Sequence, residues 1–340
     1  MPKVLIVDDS AIVRKVFTRE LGAVEDIEVV GAAPDPYVAR DEIIRLKPDV
    51  VLLDIEMPRM DGLTFLKKLM RHYPLPVIIV SSLTGQGSEL ALEAARCGAV
   101  DVVSKPGGSF SVNELTSTLV DKIRGAAHAD VKKLQQKAPS TPKVHLSSAG
   151  MTHKIIAIGA STGGTQAIQT VLQGFPRNAP GTVIVQHMPA NFTNLFAARL
   201  NEICEMEVRE AKDGDTVSPG IALIAPGNYH TLLRRSGARF YVQVKDGTMV
   251  YHQRPSVEVM FNSAAKAAGR NAVGVLLTGM GRDGAEGLLE MHKNGAKTIV
   301  QDEETSVVFG MPQAAIELGA QDYIEPLQDI SSKIMSVLRT

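Results

Sequence analysis

Short apolar runs alternating with helix-like segments constrain this chain more than any other feature. Between Lys3 and Arg124 the runs are KVLIVD, IEVVGAA, DVVLLD, LPVIIVSS and AVDVVSKP; after Lys154 the pattern resumes with KIIAIGA, TVIVQHM, GIALIAP and NAVGVLLTG. Runs this short and this uniformly apolar read as strands buried on both faces, which requires a parallel sheet with helices covering each side. Ser10 is placed to cap the first helix, and another helix starts after Met60-Asp61-Gly62. At 340 residues the chain exceeds one typical core and suits two domains. The spacing predicts two doubly wound, parallel-sheet α/β domains. TLLRRSGARFYVQV adds an antiparallel hairpin around Ser236-Gly237 in the second.

The segment between them, residues 125–153, lacks a sustained apolar period and concentrates Ala, Lys, Gln, Ser and Pro. It reads as a linker whose first half extends the preceding helix and whose APSTPK stretch breaks it. The expected domains are therefore 1–124 and 154–340. The net charge of −1 divides into −3 for residues 1–124, +3 for the linker and −1 for the remainder. Neither globular part carries the basic surplus that a nucleic-acid partner demands. No apolar stretch approaches the roughly 20 residues that cross a bilayer, and MPKVLIVDDS opens with a strand-like run, so the expected location is the cytoplasm without membrane insertion. Cys97 and Cys204 lie far apart without a metal-ligand pattern and read as reduced packing residues.

In an open parallel sheet, functional groups gather at the carboxyl edge. Asp8 and Asp9 end the first strand, Asp54 the third and Ser81 the fourth, while Lys105 follows the fifth. Three carboxylates at one edge repel one another unless a cation sits among them, and oxygen-only ligands favour Mg²⁺. A lysine beside them is suited to hold a phosphoryl oxygen.

VDDS, LLDIEMPRMDG, VSS and SKP together resemble the flavodoxin-like receiver domain of two-component response regulators over essentially all of 1–124. The resemblance implies that Asp54 accepts a phosphoryl group from a histidine kinase. It also implies that Asp8, Asp9, Asp54 and the Glu56 carbonyl serve Mg²⁺, that Ser81 and Lys105 contact the phosphoryl group, and that the Lys105–Pro106 bond is cis. Ser81 stands where many receivers have threonine.

In the second half, IGASTGG (Ile158–Gly164) contains a G-x-S-x-G pattern that projects Ser161 from a strand-to-helix turn. On its own such a turn serves equally as a phosphate loop. QHMP places His187 at the same sheet edge, and LLTGMGRDGA places Asp283 just past a third strand. A serine hydroxyl is a poor nucleophile until a base near neutral pKa takes its proton, and a carboxylate orients that base. The glycines around Asp283 permit close approach and free a backbone N–H, that of Met280, for an oxyanion. The order Ser, His, Asp differs from that of α/β-hydrolases, so the elbow pattern does not import their fold.

IGASTGG, QHMP, Pro226-Gly227 with His230, RPSVEVMF and LLTGMGRDGAEG, taken in this order behind a receiver, closely resemble the protein-glutamate methylesterases of bacterial chemotaxis, the CheB family. The resemblance implies a serine-esterase domain that hydrolyses glutamate γ-methyl esters on chemoreceptors, releasing methanol, and deamidates certain receptor glutamines. Ser161 is then nucleophile, His187 base and Asp283 orienting acid, Thr162 and Met280 help form the anion site, and no cofactor is needed. The implied partners are a histidine kinase and the cytoplasmic part of transmembrane chemoreceptors. Within the chain, the unmodified receiver occludes the catalytic cleft and phosphorylation weakens that contact. Arg282 departs from the small polar residue frequent in the family.

Arg199, His230 and Arg254 read as substrate-rim residues, and Ser256 as the cap of helix SVEVMFNSAAKAA. Two other classes remain open on the residues alone: a regulator whose second domain binds a nucleotide or protein, and a DNA-binding regulator. The first lacks an acidic ribose-binding residue at a clear strand end, the second a basic recognition helix.

Overall fold

The computed structural model describes residues 1–82, 85–105, 112–135 and 153–339. The chain divides into two compact units, Met1–Gln136 and Lys137–Thr340. The first alternates β1 (Lys3–Val7), α1 (Ala11–Gly22), β2 (Glu28–Ala33), α2 (Pro36–Leu46), β3 (Val50–Asp54), α3 (Gly62–His72), β4 (Val77–Ser81), α4 (Gly85–Arg96), β5 (Asp101–Ser104), α5 (Val112–Ala127) and the short α6 (Val131–Gln135). Its five strands lie in the order β2-β1-β3-β4-β5, all parallel. This is the flavodoxin-like order. VVLLD and VIIVS are buried at every residue because they occupy the middle of the sheet with a helix layer on each face. Ser10 caps α1 by accepting from the Val13 amide, and Asp61 caps α3 by accepting from the Thr64 amide.

The expected domain end at Arg124 falls inside α5, and α6 follows it, so helix covers much of the early part of the expected linker. Pro106, and with it the Lys105–Pro106 bond, lies outside the described residues, as does APSTPK.

The second unit contains β6 (Ile155–Ala160), α7 (Gly164–Gln173), β7 (Gly181–Gln186), α8 (Phe192–Ile203), β8 (Glu207–Glu210), β9 (Ile221–Ile224), β10 (His230–Ser236), β11 (Arg239–Lys245), α9 (Val257–Ala268), β12 (Ala272–Leu276), α10 (Ala285–Lys293), β13 (Lys297–Gln301), α11 (Met311–Glu317), β14 (Tyr323–Glu325) and α12 (Leu327–Val337). Seven strands form one parallel sheet in the order β14-β13-β12-β6-β7-β9-β8. The antiparallel hairpin β10-β11 makes its own two-stranded sheet, and the cross-strand pair Ser236 and Arg239 places its turn at Gly237 and Ala238. Strands β8, β13 and β14 were not among the apolar runs.

The sheet's winding reverses beside β6, the first strand. The chain leaves it for β7 on one side and later returns as β12 on the other. Crevices at the carboxyl ends of strands open at such reversals.

Candidate functional site

Strand register alone brings three of the expected residues together. Ala160 pairs with Gln186 and Gly159 with Leu276, so the residues that follow in β6, β7 and β12 emerge side by side at one edge. The His187 amide donates to the Ala160 carbonyl at 3.2 Å and the Ser161 amide to the Thr278 carbonyl at 3.0 Å. Ser161, His187 and Asp283 are all buried.

Asp283 is the most constrained of the three. Its Oδ2 lies 2.7 Å from His187 Nε2 and accepts from the Val257 amide at 2.7 Å. Its Oδ1 accepts from Ser256 Oγ at 2.7 Å and from the Glu258 amide at 2.9 Å. The carboxylate thus occupies the N-terminus of α9, where free N–H groups and the helix dipole favour an anion. A carboxylate only accepts, so His187 Nε2 carries the hydrogen and Nδ1 is left as the basic nitrogen. Among the described residues no hydrogen bond joins Ser161 Oγ to His187; resting serine hydrolases commonly form that contact only with substrate bound.

The glycines of LLTGMGRDGA now have a structural reason. A Cβ on Gly279 would stand 2.7 Å from Ser161 Cβ, and one on Gly284 would stand 2.4 Å from Val257 Cγ1. Val257 is the first residue of α9, so the Gly284 contact is what lets Asp283 reach the helix N-terminus. Gly284 also has φ +88°. Gly284→Ala is expected to destabilise by about 2–5 kcal/mol, a left-handed backbone cost of about 1–2 plus overpacking of about 1–3. Gly281→Ala, at φ +86° with nothing within 4 Å, carries only the backbone part. Urea unfolding of both compares them, and equal losses would remove the Val257 contact from this account.

Thr162 is buried, and its carbonyl accepts from Thr278 Oγ1 at 3.0 Å. Among the described residues the Met280 amide donates to no protein group, while the neighbouring Gly279 carbonyl accepts from the Gly310 and Met311 amides. That leaves the Met280 N–H available for an oxyanion. Gln186, the first residue of QHMP, ends β7. Its Nε2 donates to the Ser161 carbonyl at 2.8 Å, alongside the Gly164 amide at 2.7 Å, and the pair fixes the turn that presents the serine. The available signal is an amide side chain ending a strand buried at every residue, directly after the apolar run Val183–Val185.

Each of the three residues expected at the rim already has protein partners. Arg199 pairs with Glu202 on its own helix α8. Arg254 Nη1 donates to Asp246 Oδ1 at 2.8 Å and to the Gly247 carbonyl at 2.6 Å. His230 is buried with both ring nitrogens bonded. Glu258, which drew no attention in the sequence, is buried beside Asp283; burial pushes its pKa up, and bonds from the Gly287 amide and Asn262 oppose that. Arg282 is exposed.

In the first unit the strand ends converge as the sequence suggests. Carboxylate oxygens of Asp8, Asp9 and Asp54 all lie within 4.8 Å of one another. Lys105 Nζ stands 2.7 Å from Asp54 Oδ2 and 3.0 Å from Asp8 Oδ2. Burial drives the Asp54 carboxyl up to about 6, Lys105 and the Glu56 amide pull it down, and Asp8 adds to the rise. For Lys105, partial burial works to lower the pKa, yet the two carboxylates outweigh it and the net direction is up. An all-oxygen acidic group with two of its three carboxylates buried, and that burial not fully offset by one ammonium, fits a hard divalent cation. Ser81 Oγ instead donates to the Gly87 carbonyl at 2.9 Å, and the Glu56 side chain takes the Ser82 hydroxyl. Arg14, not singled out beforehand, donates to the Asp8 and Asp9 carbonyls at 2.8 and 2.9 Å and braces their loop.

Known proteins carry the same two parts. The sequence model described as CheB methylesterase matches residues 156–334, and that of the response regulator receiver domain matches residues 4–119. Protein-glutamate methylesterase/protein-glutamine glutaminase 2 of Syntrophus aciditrophicus (strain SB) is 60% identical over 339 residues, 99% of each chain. The protein of that name numbered 4 in Anaeromyxobacter dehalogenans (strain 2CP-C) is 54% identical over 98% of this chain and 94% of its own. In three dimensions, the crystal structure of the Thermotoga maritima CheB methylesterase catalytic domain aligns with 55% of this chain and 99% of that one, at 37% identity and a TM-score of 0.54.

Proposed function

The chain belongs to the CheB methylesterase family, with a receiver domain ahead of the catalytic domain, and from that premise we propose how its own residues perform the family's reactions. It is a protein-glutamate methylesterase and protein-glutamine glutaminase. The observation that carries the assignment of residues is the 2.7 Å bond between His187 Nε2 and Asp283 Oδ2, one strand away from Ser161. His187 Nδ1 takes the Ser161 proton as Oγ attacks the side-chain acyl carbon of the substrate. The Met280 amide, with Thr162 beside it, receives the oxyanion. The imidazolium then returns its proton to the departing methoxide or amide nitrogen, releasing methanol or ammonia. Water, deprotonated by the same nitrogen, frees glutamate from the acyl-enzyme. Asp283, bonded by α9, holds the ring in one tautomer and stabilises its cationic form.

Asp54 is proposed as the phosphoryl acceptor, with Asp8, Asp9 and the Glu56 carbonyl as further ligands of Mg²⁺ and Lys105 and Ser81 as contacts of the phosphoryl group. The ion would neutralise charge on the incoming phosphodonor. Lys105 is already at the acceptor oxygen; Ser81 must release Gly87 before it can reach it. A histidine kinase is the proposed donor and the cytoplasmic part of methylated chemoreceptors the proposed substrate, which places the protein in the cytoplasm. Among the described residues no helix is long and apolar enough to cross a membrane.

The test is methanol release from membranes bearing methylated receptors. The intact purified chain is expected to release methanol, and a chain lacking residues 1–150 to release it about 5–150-fold faster, the range of typical coupling energies. Absence of methanol from both would end the esterase reading. Equal or lower activity in the shortened chain would leave esterase chemistry intact and replace inhibition by the receiver with activation by it.

A further inference from the structure

His230 opens β10 and is only 3% exposed. Its Nε2 lies 2.9 Å from the Thr248 carbonyl, and its Nδ1 lies 3.3 Å from the Ser256 amide nitrogen. A carbonyl only accepts and an amide N–H only donates, so the ring is neutral with its hydrogen on Nε2 and a lone pair on Nδ1. The Thr248 carbonyl therefore selects the tautomer in which Nδ1 can accept.

What Nδ1 accepts matters because Ser256 is the N-cap of α9. The backbone N–H of an N-cap residue has no intrahelical partner, and the usual remedy is a Glu or Gln three residues on that reaches back to it. Here that position is Val259, which offers no acceptor. The His230 imidazole supplies the missing one from another element. Ser256 in turn donates its Oγ to Asp283 Oδ1 at 2.7 Å, and the next two amides of α9 complete the cradle of that carboxylate.

His230 also closes the loop between its two partners. Within the loop Val250 and Gln253 exchange backbone bonds at 3.1 and 2.9 Å around Tyr251 and His252, whose φ values are +51° and +59°. Side chains this large seldom occupy both centres of such a turn, where Asn-Gly is favoured, so the surroundings must hold it. The bonds of Arg254 to Asp246 and Gly247, and of the Asn228 amide to the Arg254 carbonyl, tie down the same loop.

We propose that His230 is a positioning residue for hydrolysis: its Nδ1 fixes the Ser256 amide, hence the α9 cap, hence Asp283 beneath His187. The proposal rests on the triad reading and adds to it a residue outside the triad. It gives His230 a different part from that of a rim residue, since neither ring nitrogen is left for substrate.

Two substitutions separate the nitrogens. In His230→Asn the side-chain carbonyl takes the place of Nδ1 and still accepts from Ser256. In His230→Gln the amide reaches the place of Nε2 and bonds Thr248, with nothing where Nδ1 was. Methanol release by the intact chain, per folded molecule, is expected to show kcat about 10–100-fold below wild type for His230→Gln with KM within about 2-fold, since small misplacements of a catalytic group cost this much. His230→Asn is expected to turn over about 10-fold faster than His230→Gln. A purely stabilising histidine would move the unfolding midpoint of both without this ordering. Equal kcat for the two variants, or faster turnover by His230→Gln, overturns the proposal. Long-range proton–nitrogen spectra of the ¹⁵N-histidine wild-type protein decide the matter even where a variant does not fold. The Nε2–H tautomer at His230 supports it and the Nδ1–H tautomer overturns it. Ser161→Ala, measured alongside, keeps the two readings apart: its activity would refute the triad itself, whereas an inactive Ser161→Ala with equal His230 variants refutes only the role of His230.

Discussion

Ser161→Ala is expected to lower the rate of methanol release by about four to six orders of magnitude while circular dichroism and the unfolding midpoint stay close to wild type. The magnitude follows from the loss of covalent catalysis in hydrolases whose serine and histidine act as one unit. His187→Ala should fall equally far, and the double variant little further, because an unactivated serine and an unaccompanied base are each nearly useless. Folding persists because Ser161 is held through its backbone: the Thr278 carbonyl takes its amide, and Gln186 and Gly164 take its carbonyl. Asp283→Asn is different in kind. The amide would turn an NH₂ group toward α9, where three donors now converge on the carboxylate, so loss of activity should come with loss of stability. Near-normal release by folded Ser161→Ala would eliminate serine catalysis.

The second large effect concerns the first unit. Asp54→Asn is expected to abolish Mg²⁺-dependent phosphorylation by a small phosphodonor, because the amide neither accepts the phosphoryl group nor carries charge for a cation. Chelation of the metal should do the same to the unmodified chain. The carboxylates of Asp8 and Asp9, with oxygens within 4.8 Å of an Asp54 oxygen, are the alternative acceptors. Stable labelling of folded Asp54→Asn would send the assignment to one of these.

Most of the central strands are legible in the sequence, although the interior strand β13, KTIVQ, is too short and too polar at its ends to stand out and the edge strand β2 is legible despite its partial exposure. IIAIGA, and VVLLD up to its terminal Asp54, are apolar because both faces of a central parallel strand are covered. EVRE in β8 and YIE in β14 sit at sheet edges, where half-exposure dilutes the apolar signal below what a run can show. The candidate site divides in the same way. Ser161, His187 and Asp283 each follow a legible strand, so their convergence needs only the rule that function gathers at carboxyl ends. The cradle around Asp283 depends on α9 returning from a distant point of the chain to aim its N-terminus at that carboxylate. Ser256 reads as a helix cap from its type and position; nothing local states what else its hydroxyl touches. Arg254 shows the converse, since a cation near a site invites a substrate role until Asp246 is found against it.

The four bonds that Asp283 accepts also bear on how the site parts with what it makes. A glutamate methyl ester is uncharged, as is the glutamine amide, whereas the hydrolysed side chain is a carboxylate. The Asp283 carboxylate is buried at a helix end and bonded to the His187 ring that serves the reacting carbon. Among side chains this buried, a second carboxylate nearby raises the free energy of the bound product but leaves both neutral substrates untouched. The same carboxylate that readies the base therefore also favours departure of the finished glutamate and opposes its return.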